Sequence, residues 1–356
     1  MNFSEKLLVW YKKNQRELPW RSTHDPYKVW LSEIILQQTR IAQGIAYYNK
    51  FLERFPDIYQ LSKASEDQVL ATWQGLGYYS RARNLHHTAK DIVQNYQGQF
   101  PSTYNELLKL KGVGKYTAAA IASIAFNRSV AVVDGNVLRL ICRYFGIDKP
   151  IDRSSVIKEI EHIANELIDP DHPSAFNQAM MDLGATVCKP QTPSCQVCPF
   201  MAECIARKNG VQSKIPFKEK KVKVKKRFFH FFFIYYQTAK QLAICVEKRT
   251  GNDIWKNLYQ FPLIETPDDN LPTENIYLKA LSENGEKICA EGFGLTFKHV
   301  LTHQVIEAFF HKIPVRSIDG ALPPGVQWVD YEKFGEMGKP VLITRFLNAW
   351  QKASGG

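Results

Sequence analysis

A mainly α N-terminal domain followed by an α+β domain is expected from this chain on three grounds. Its 356 residues exceed the size at which one hydrophobic core keeps growing. Up to about residue 205, apolar residues recur at three- and four-residue spacing, broken at Pro, Gly and Asp, which is the helical pattern. From Phe228 onward the composition turns to short aromatic and β-branched runs separated by turns. The boundaries read from this are a helical domain over 1–212, a basic linker over 213–227 and an α+β domain over 228–356.

In chain order, helical spacing is clear from Phe3 to Tyr11, Tyr27 to Thr39, Tyr104 to Leu110, Ala118 to Ala125 and Val137 to Phe145. The stretch Lys214 to Arg227 is too charged and too poor in large apolar residues to fold alone. It reads either as a linker lying near phosphates or as a plain solvated one. Strands are expected at Phe228–Tyr236 and Leu242–Val246, and a frayed tail at Ser354-Gly355-Gly356.

Lys and Arg total 46 against 35 Asp and Glu, a formal charge of +11 that favours an anionic polymer as partner. No basic-then-apolar leader opens the chain, and no apolar stretch is long enough to cross a bilayer. A soluble, unexported protein is therefore expected, cytoplasmic and nucleoid-associated, and a monomer is the expected state. Of the seven cysteines, Cys142, Cys245 and Cys289 sit in apolar surroundings and read as buried thiols, whereas Cys188, Cys195, Cys198 and Cys204 crowd together.

Those four are separated by six, two and five residues, so four thiolates can wrap one centre within a compact loop. Structural zinc sites usually pair two Cys-x-x-Cys knuckles across a longer insert. One such knuckle flanked by single cysteines suits a 4Fe–4S cluster better than zinc. Pro190, Pro193 and Pro199 stiffen the loop, and its cluster would pin Lys189 and Lys208 toward a DNA backbone.

Leu110-Lys111-Gly112-Val113-Gly114-Lys115-Tyr116 joins two helical patterns. Gly112 and Gly114 permit a tight turn whose amides, with Lys115, can hold a phosphate. An ordinary glycine-capped turn fits the same residues, but a nucleotide P-loop does not, because Lys109 and Tyr116 occupy positions that need Gly and Ser or Thr.

Two carboxyl groups are candidates for acid–base work. Glu33 shares the apolar stripe of Val29, Trp30 and Leu36. Burial there would raise its pKa and keep it protonated as a general acid, although a glutamate snorkelling from the helix edge has the same spacing. Asp134 precedes Gly135 and Asn136. Asp-Gly also suits a hairpin turn, but Val137, Leu140, Ile141 and Tyr144 keep helical spacing, so Asp134 is expected at a helix N-terminus whose amides favour its ionised form. One protonated and one ionised carboxyl is the pair that breaks a glycosidic bond.

The hairpin, the Val133-Asp134-Gly135-Asn136 element and the four-cysteine loop occur in this order in helix-hairpin-helix DNA glycosylases. Within that superfamily, Leu18-Pro19-Trp20-Arg21, Leu36-Gln37-Gln38-Thr39, Gly75-Leu76-Gly77-Tyr78-Tyr79 and Phe176-Asn177-Gln178-Ala179-Met180-Met181-Asp182 make the chain resemble the bacterial MutY adenine glycosylases. The match covers nearly the whole first domain.

That resemblance implies removal of adenine mispaired with 8-oxoguanine or guanine in double-stranded DNA, with a 4Fe–4S cofactor. It makes Glu33 the acid on the adenine imidazole ring and Asp134 the stabiliser of the sugar cation, with Tyr116 and Asn136 orienting them. Arg16, Trp20, Arg21 and Gln38 would line the pocket for a flipped adenine, while Gln37 and Tyr78 would enter the duplex. The related endonuclease III branch carries a nucleophilic lysine where this chain has Tyr116, so simple hydrolysis with little strand cleavage is implied. Lys111 replaces the usual proline before the hairpin glycine, and Leu138 stands where some relatives have lysine. Residues 228–356 resemble the Nudix-like domain of these enzymes, with Trp255 to Pro262 as one matching element. In a second, Phe297 to His303, Thr302 and His303 would read the oxidised base, unless they are ordinary strand residues. The acidic magnesium helix of true Nudix enzymes is missing, which implies binding without hydrolysis. A thymine-mismatch or oxidised-pyrimidine glycosylase and a noncatalytic DNA-binding cluster protein are the competing readings.

Overall fold

The computed structural model describes residues 1–219, 224–271, 277, 291–318 and 322–354. Cys289 and the terminal Gly355-Gly356 lie outside them. Two compact units emerge: Met1–Lys63 with Asn84–Lys221, and Ala64–Arg83 with Val222–Gly356. Among the described residues no helix is long and apolar enough to cross a membrane.

In chain order the helices up to residue 208 are α1 (Phe3–Asn14), α2 (Pro26–Leu36), α3 (Ile41–Arg54), α4 (Ile58–Lys63), α5 (Glu66–Trp73), α6 (Ser80–Asn95), α7 (Tyr104–Leu107), α8 (Lys115–Phe126), α9 (Gly135–Phe145), α10 (Ser154–Leu167), α11 (Pro173–Thr186) and α12 (Ile205–Lys208). In the first unit, α2 packs on α8 and α3, and α11 packs on α1, α8 and α9. Helix α2 starts where Asp25 accepts from the Tyr27 amide and Pro26 takes the first helical position. It ends at Leu36, short of the expected Thr39, because the chain turns through Gln38 at φ +56. Its residues Tyr27 and Val29 to Ile35 are all buried, so α2 is a central helix and not a one-sided amphipathic one. The small side chains of α8 make this possible, since its residues Thr117 to Ile124 are buried without a break.

Two glycines are dictated by geometry. Gly112 lies at φ +78, and a Cβ there would come within 2.6 Å of the Asn84 Cβ. Gly184 on α11 lets that helix meet the start of α9, where a Cβ would lie 2.7 Å from the Asn136 carbonyl oxygen.

The second unit contains a mixed sheet of β1 (Lys225–Gln237), β2 (Leu242–Lys248), β3 (Tyr259–Gln260), β4 (Leu263–Thr266), β5 (Glu291–Val300), β6 (Gln304–Pro314) and β7 (Val326–Asp330). The path runs β3-β2-β1-β6-β5, with β4 on β1 and β7 on β2. The β1–β6 pair is parallel and the other pairings are antiparallel. The strand β1 begins at Lys225, inside the stretch read as linker, because Arg227 finds acidic partners there. It donates to Glu265 and Asp253 and to the Gln304 side chain. The aromatic run expected as a strand is the heart of this unit: Phe229, Phe231, Phe232 and Phe233 are wholly buried. Phe310 and Phe346 stack at 4.4 Å, bringing the helix Val341–Ser354 onto the sheet.

Candidate active site

Helix α2 carries Glu33 into a cavity also lined by Arg16, Trp20, Arg21 and Tyr116. The Glu33 side chain is 5% exposed, and its Oε2 is buried with no hydrogen-bond partner. Desolvation pushes its pKa up to about 7. The Tyr116 hydrogen bond pulls the other way, Asp134 adds to the rise, and Arg21 opposes it. The carboxyl is thus poised near neutrality, with one free oxygen. Burial and the neighbouring Glu33 also raise the Tyr116 phenol well above its ordinary pKa, so it acts as a neutral donor. The Met181 sulfur lies 3.6 Å from its hydroxyl as a weak second contact.

Asp134 caps α9 as the helical spacing indicated, and the hairpin alternative is not formed. Its Oδ1 accepts from the Asn136 and Val137 amides at 2.8 Å each, and its Oδ2 accepts from the Asn136 side-chain amide at 2.6 Å. The Asn136 side-chain carbonyl is in turn held by Arg139 at 3.0 Å, and Arg139 also donates to the Gly184 and Cys188 carbonyls. Asp134 is thereby fixed as an acceptor whose two oxygens are both oriented.

Gln38 does not line the Glu33 cavity; it is exposed in the turn after α2. Gln37 donates to the Thr117 hydroxyl at 3.2 Å. Lys115 is exposed at the start of α8, where its ammonium bridges to Glu161 at 2.9 Å. Sequence reasoning missed Gln178 and Met181 in the cavity and Asp182 behind it. Their three- and four-residue spacing on α11 was the available signal.

Cys188, Cys195, Cys198 and Cys204 line one cavity with Leu140, Val187 and Phe200. Arg143 donates to the Cys188 sulfur at 3.4 Å and clamps the Lys189 and Pro190 carbonyls at 2.6 and 2.7 Å. Burial, with the neighbouring cysteines, pushes the Cys198 thiol up to about 11. Four thiols around one cavity, with a guanidinium beside Cys188, are a donor set that suits a metal cation. Among the described residues no three His, Cys, Asp or Glu side chains meet as a site for a single ion.

In the second unit, Thr302 and His303 are exposed residues of the turn between β5 and β6, not strand residues. The Tyr78 hydroxyl and the Thr302 hydroxyl are 2.6 Å apart. Both, with Trp255 and His303, line one pocket. Tyr78 and Trp255 hold left-handed backbones at φ +48 and +60, strain of the kind that accumulates at functional sites. In the Trp255 element, Asn257 also takes a left-handed backbone. It sits at φ +65, which asparagine tolerates best after glycine.

Residues 31–166 match the HhH-GPD superfamily of base excision DNA repair proteins, and residues 232–349 match the NUDIX domain. An adenine DNA glycosylase from Buchnera aphidicola subsp. Schizaphis graminum is 34% identical over 366 residues, spanning 98% of this chain and 99% of its own. The chain belongs to the adenine DNA glycosylase family. The mouse adenine DNA glycosylase is 31% identical over 395 residues, covering 93% of this chain and 74% of that protein. A solved thermostable thymine-DNA glycosylase aligns at TM-score 0.53 with 29% identity, over 58% of this chain and 95% of its own. That structure accounts for only part of this chain, whereas the Buchnera and mouse adenine glycosylases match along nearly all of it. Membership gives the Glu33 cavity a chemical context, that of a glycosylase fold in which a base must leave its sugar.

Proposed function

We propose that this chain removes adenine mispaired with 8-oxoguanine or guanine from double-stranded DNA by hydrolysis of the glycosidic bond. The observation that carries the reading is Glu33: a buried carboxyl poised near neutral pH, one oxygen free toward a cavity, in a member of the adenine glycosylase family. A flipped adenine in that cavity receives the Glu33 proton on its imidazole ring, which turns the base into a leaving group. The C1′–N9 bond breaks, and the oriented Asp134 carboxylate stabilises the resulting oxocarbenium ion. Glu33, now a carboxylate, accepts a proton from the water that attacks C1′. Tyr116 stands where the lyase branch has its lysine, so no imine forms and the abasic site is released uncut.

The division of labour follows the domains. Residues 1–212 perform excision, while 228–356, through Thr302 and His303 beside Tyr78, read the base opposite adenine. Gln37 enters the duplex, and Gly112, Gly114 and Lys115 hold backbone phosphate. The four-cysteine cavity would hold the 4Fe–4S cluster that the family generally carries. Its thiolates surround a volume, as a multi-iron cluster requires, and the cluster would serve to pin the Lys189 and Lys208 loop. The enzyme works as a cytoplasmic, nucleoid-associated monomer.

Single-turnover cleavage of a duplex with adenine opposite 8-oxoguanine tests this, comparing native protein with Glu33→Gln and developing products with and without alkali. Alkali-dependent breaks at adenine that vanish in the variant support the reading. Release of thymine from a G·T duplex, with none of adenine, returns the chain to the thymine-mismatch class.

A further inference from the structure

The two pocket arginines share one buried counter-ion that the mechanism above does not use. Asp182 on α11 is wholly inaccessible. Its Oδ1 accepts from Arg16 Nε at 2.7 Å and Arg21 Nη2 at 2.6 Å, and its Oδ2 accepts from Arg21 Nη1 at 2.6 Å and the Arg16 amide at 3.2 Å. Arg21 Nη1 also donates to the Arg16 carbonyl at 3.0 Å. These bonds tie together residues 161 and 166 positions apart and fix two long side chains whose rotamers would otherwise be free. Burial raises the Asp182 carboxyl, and the two arginines more than offset this, holding it below the usual carboxylate range.

Several elements face Glu33. From the segment before α2 come Arg16 and Arg21, from α8 Tyr116, and from the head of α9 Asp134; α3 contributes Ile41, and α11 contributes Gln178 and Met181 to the lining. The Arg21 guanidinium near the Glu33 carboxyl favours its ionised form, which is the form useless to an acid. Asp182 pairs with that guanidinium through both of its oxygens.

Resting on the glycosylase reading above, we propose that Asp182 is a positioning residue of the excision site. It locks Arg16 and Arg21 against the flipped adenine and offsets the Arg21 charge that faces Glu33. Removing the Asp182 charge leaves Arg21 uncompensated beside Glu33, so the general acid is lost at lower pH. Removing the Arg16 charge leaves Asp182 to offset Arg21 more fully, and does the reverse.

The test is the pH profile of single-turnover adenine release from an adenine·8-oxoguanine duplex for native protein, Asp182→Asn, Asp182→Glu and Arg16→Gln. The alkaline limb should move down by about one pH unit in Asp182→Asn, making its rate deficit about tenfold worse above the limb than below it. It should return in Asp182→Glu and move up in Arg16→Gln. A uniform slowing with the native limb in every variant would overturn the proposal. Where Asp182→Asn fails to fold, Arg16→Gln decides alone, because Arg16 is partly exposed and an unmoved limb there is equally fatal. No adenine release by native protein removes the glycosylase reading and this proposal with it, whereas release with unmoved limbs removes this proposal only.

Discussion

Replacing Glu33 by Gln should abolish excision and at the same time stabilise the protein at neutral and alkaline pH. In the folded chain the Glu33 carboxyl titrates near 7 against an ordinary 4.5, chiefly because burial disfavours its anion. A tenfold change in proton affinity is worth about 1.4 kcal/mol, so the rise corresponds to about 3 kcal/mol. The folded protein binds this proton more tightly than the unfolded chain does. The stabilisation is therefore fully present below the unfolded pKa and lost as pH rises through the folded one. Glutamine keeps an oxygen that accepts from Tyr116 but carries no titrating proton. The stability of Glu33→Gln relative to native should rise by about 2 to 3 kcal/mol between about pH 5 and about pH 8. Urea unfolding of the two proteins at several pH values measures it, since pH effects common to both cancel in the difference. A difference flat with pH would mean that Glu33 ionises as an ordinary carboxyl, and its role as general acid would then fail.

Three further outcomes follow from the same geometry. Cys198→Ser should yield protein lacking the visible absorption of a 4Fe–4S cluster and with its cysteine loop open to protease; a colourless native protein containing zinc would refute the cluster assignment. Arg227→Met should cost about 1 to 3 kcal/mol, less than a fully buried pair, because its partners Asp253 and Glu265 are 35% and 39% exposed. Urea unfolding checks this, and an unchanged midpoint would show that the pairs contribute nothing. Thr302→Val should narrow the rate advantage of adenine·8-oxoguanine over adenine·guanine by up to about tenfold, while sparing excision from adenine·guanine. Equal slowing on both duplexes would assign Thr302 a purely structural part.

Much of this protein is written in local sequence. Asp134 needs only Gly135, Asn136 and Val137 to become a helix cap, so its place could be read from four residues. The cysteine spacing confines four thiols to one loop, and the aromatic run from Phe228 allows little but a buried strand. Other features depend on partners far along the chain. Glu33 is an acid near neutrality because α8, more than eighty positions on, closes over α2 and removes its water; the α2 sequence alone was equally consistent with a solvated edge. Asp182 reads as one more polar position on α11 until folding brings it to Arg16 and Arg21. Arg227 reads as linker charge until Asp253 and Glu265 meet it. Caps, turns and ligand spacing are short-range and legible because they are satisfied by neighbouring residues. Desolvation and charge pairing belong to the tertiary structure, because burial and counter-ions arrive only when distant segments pack.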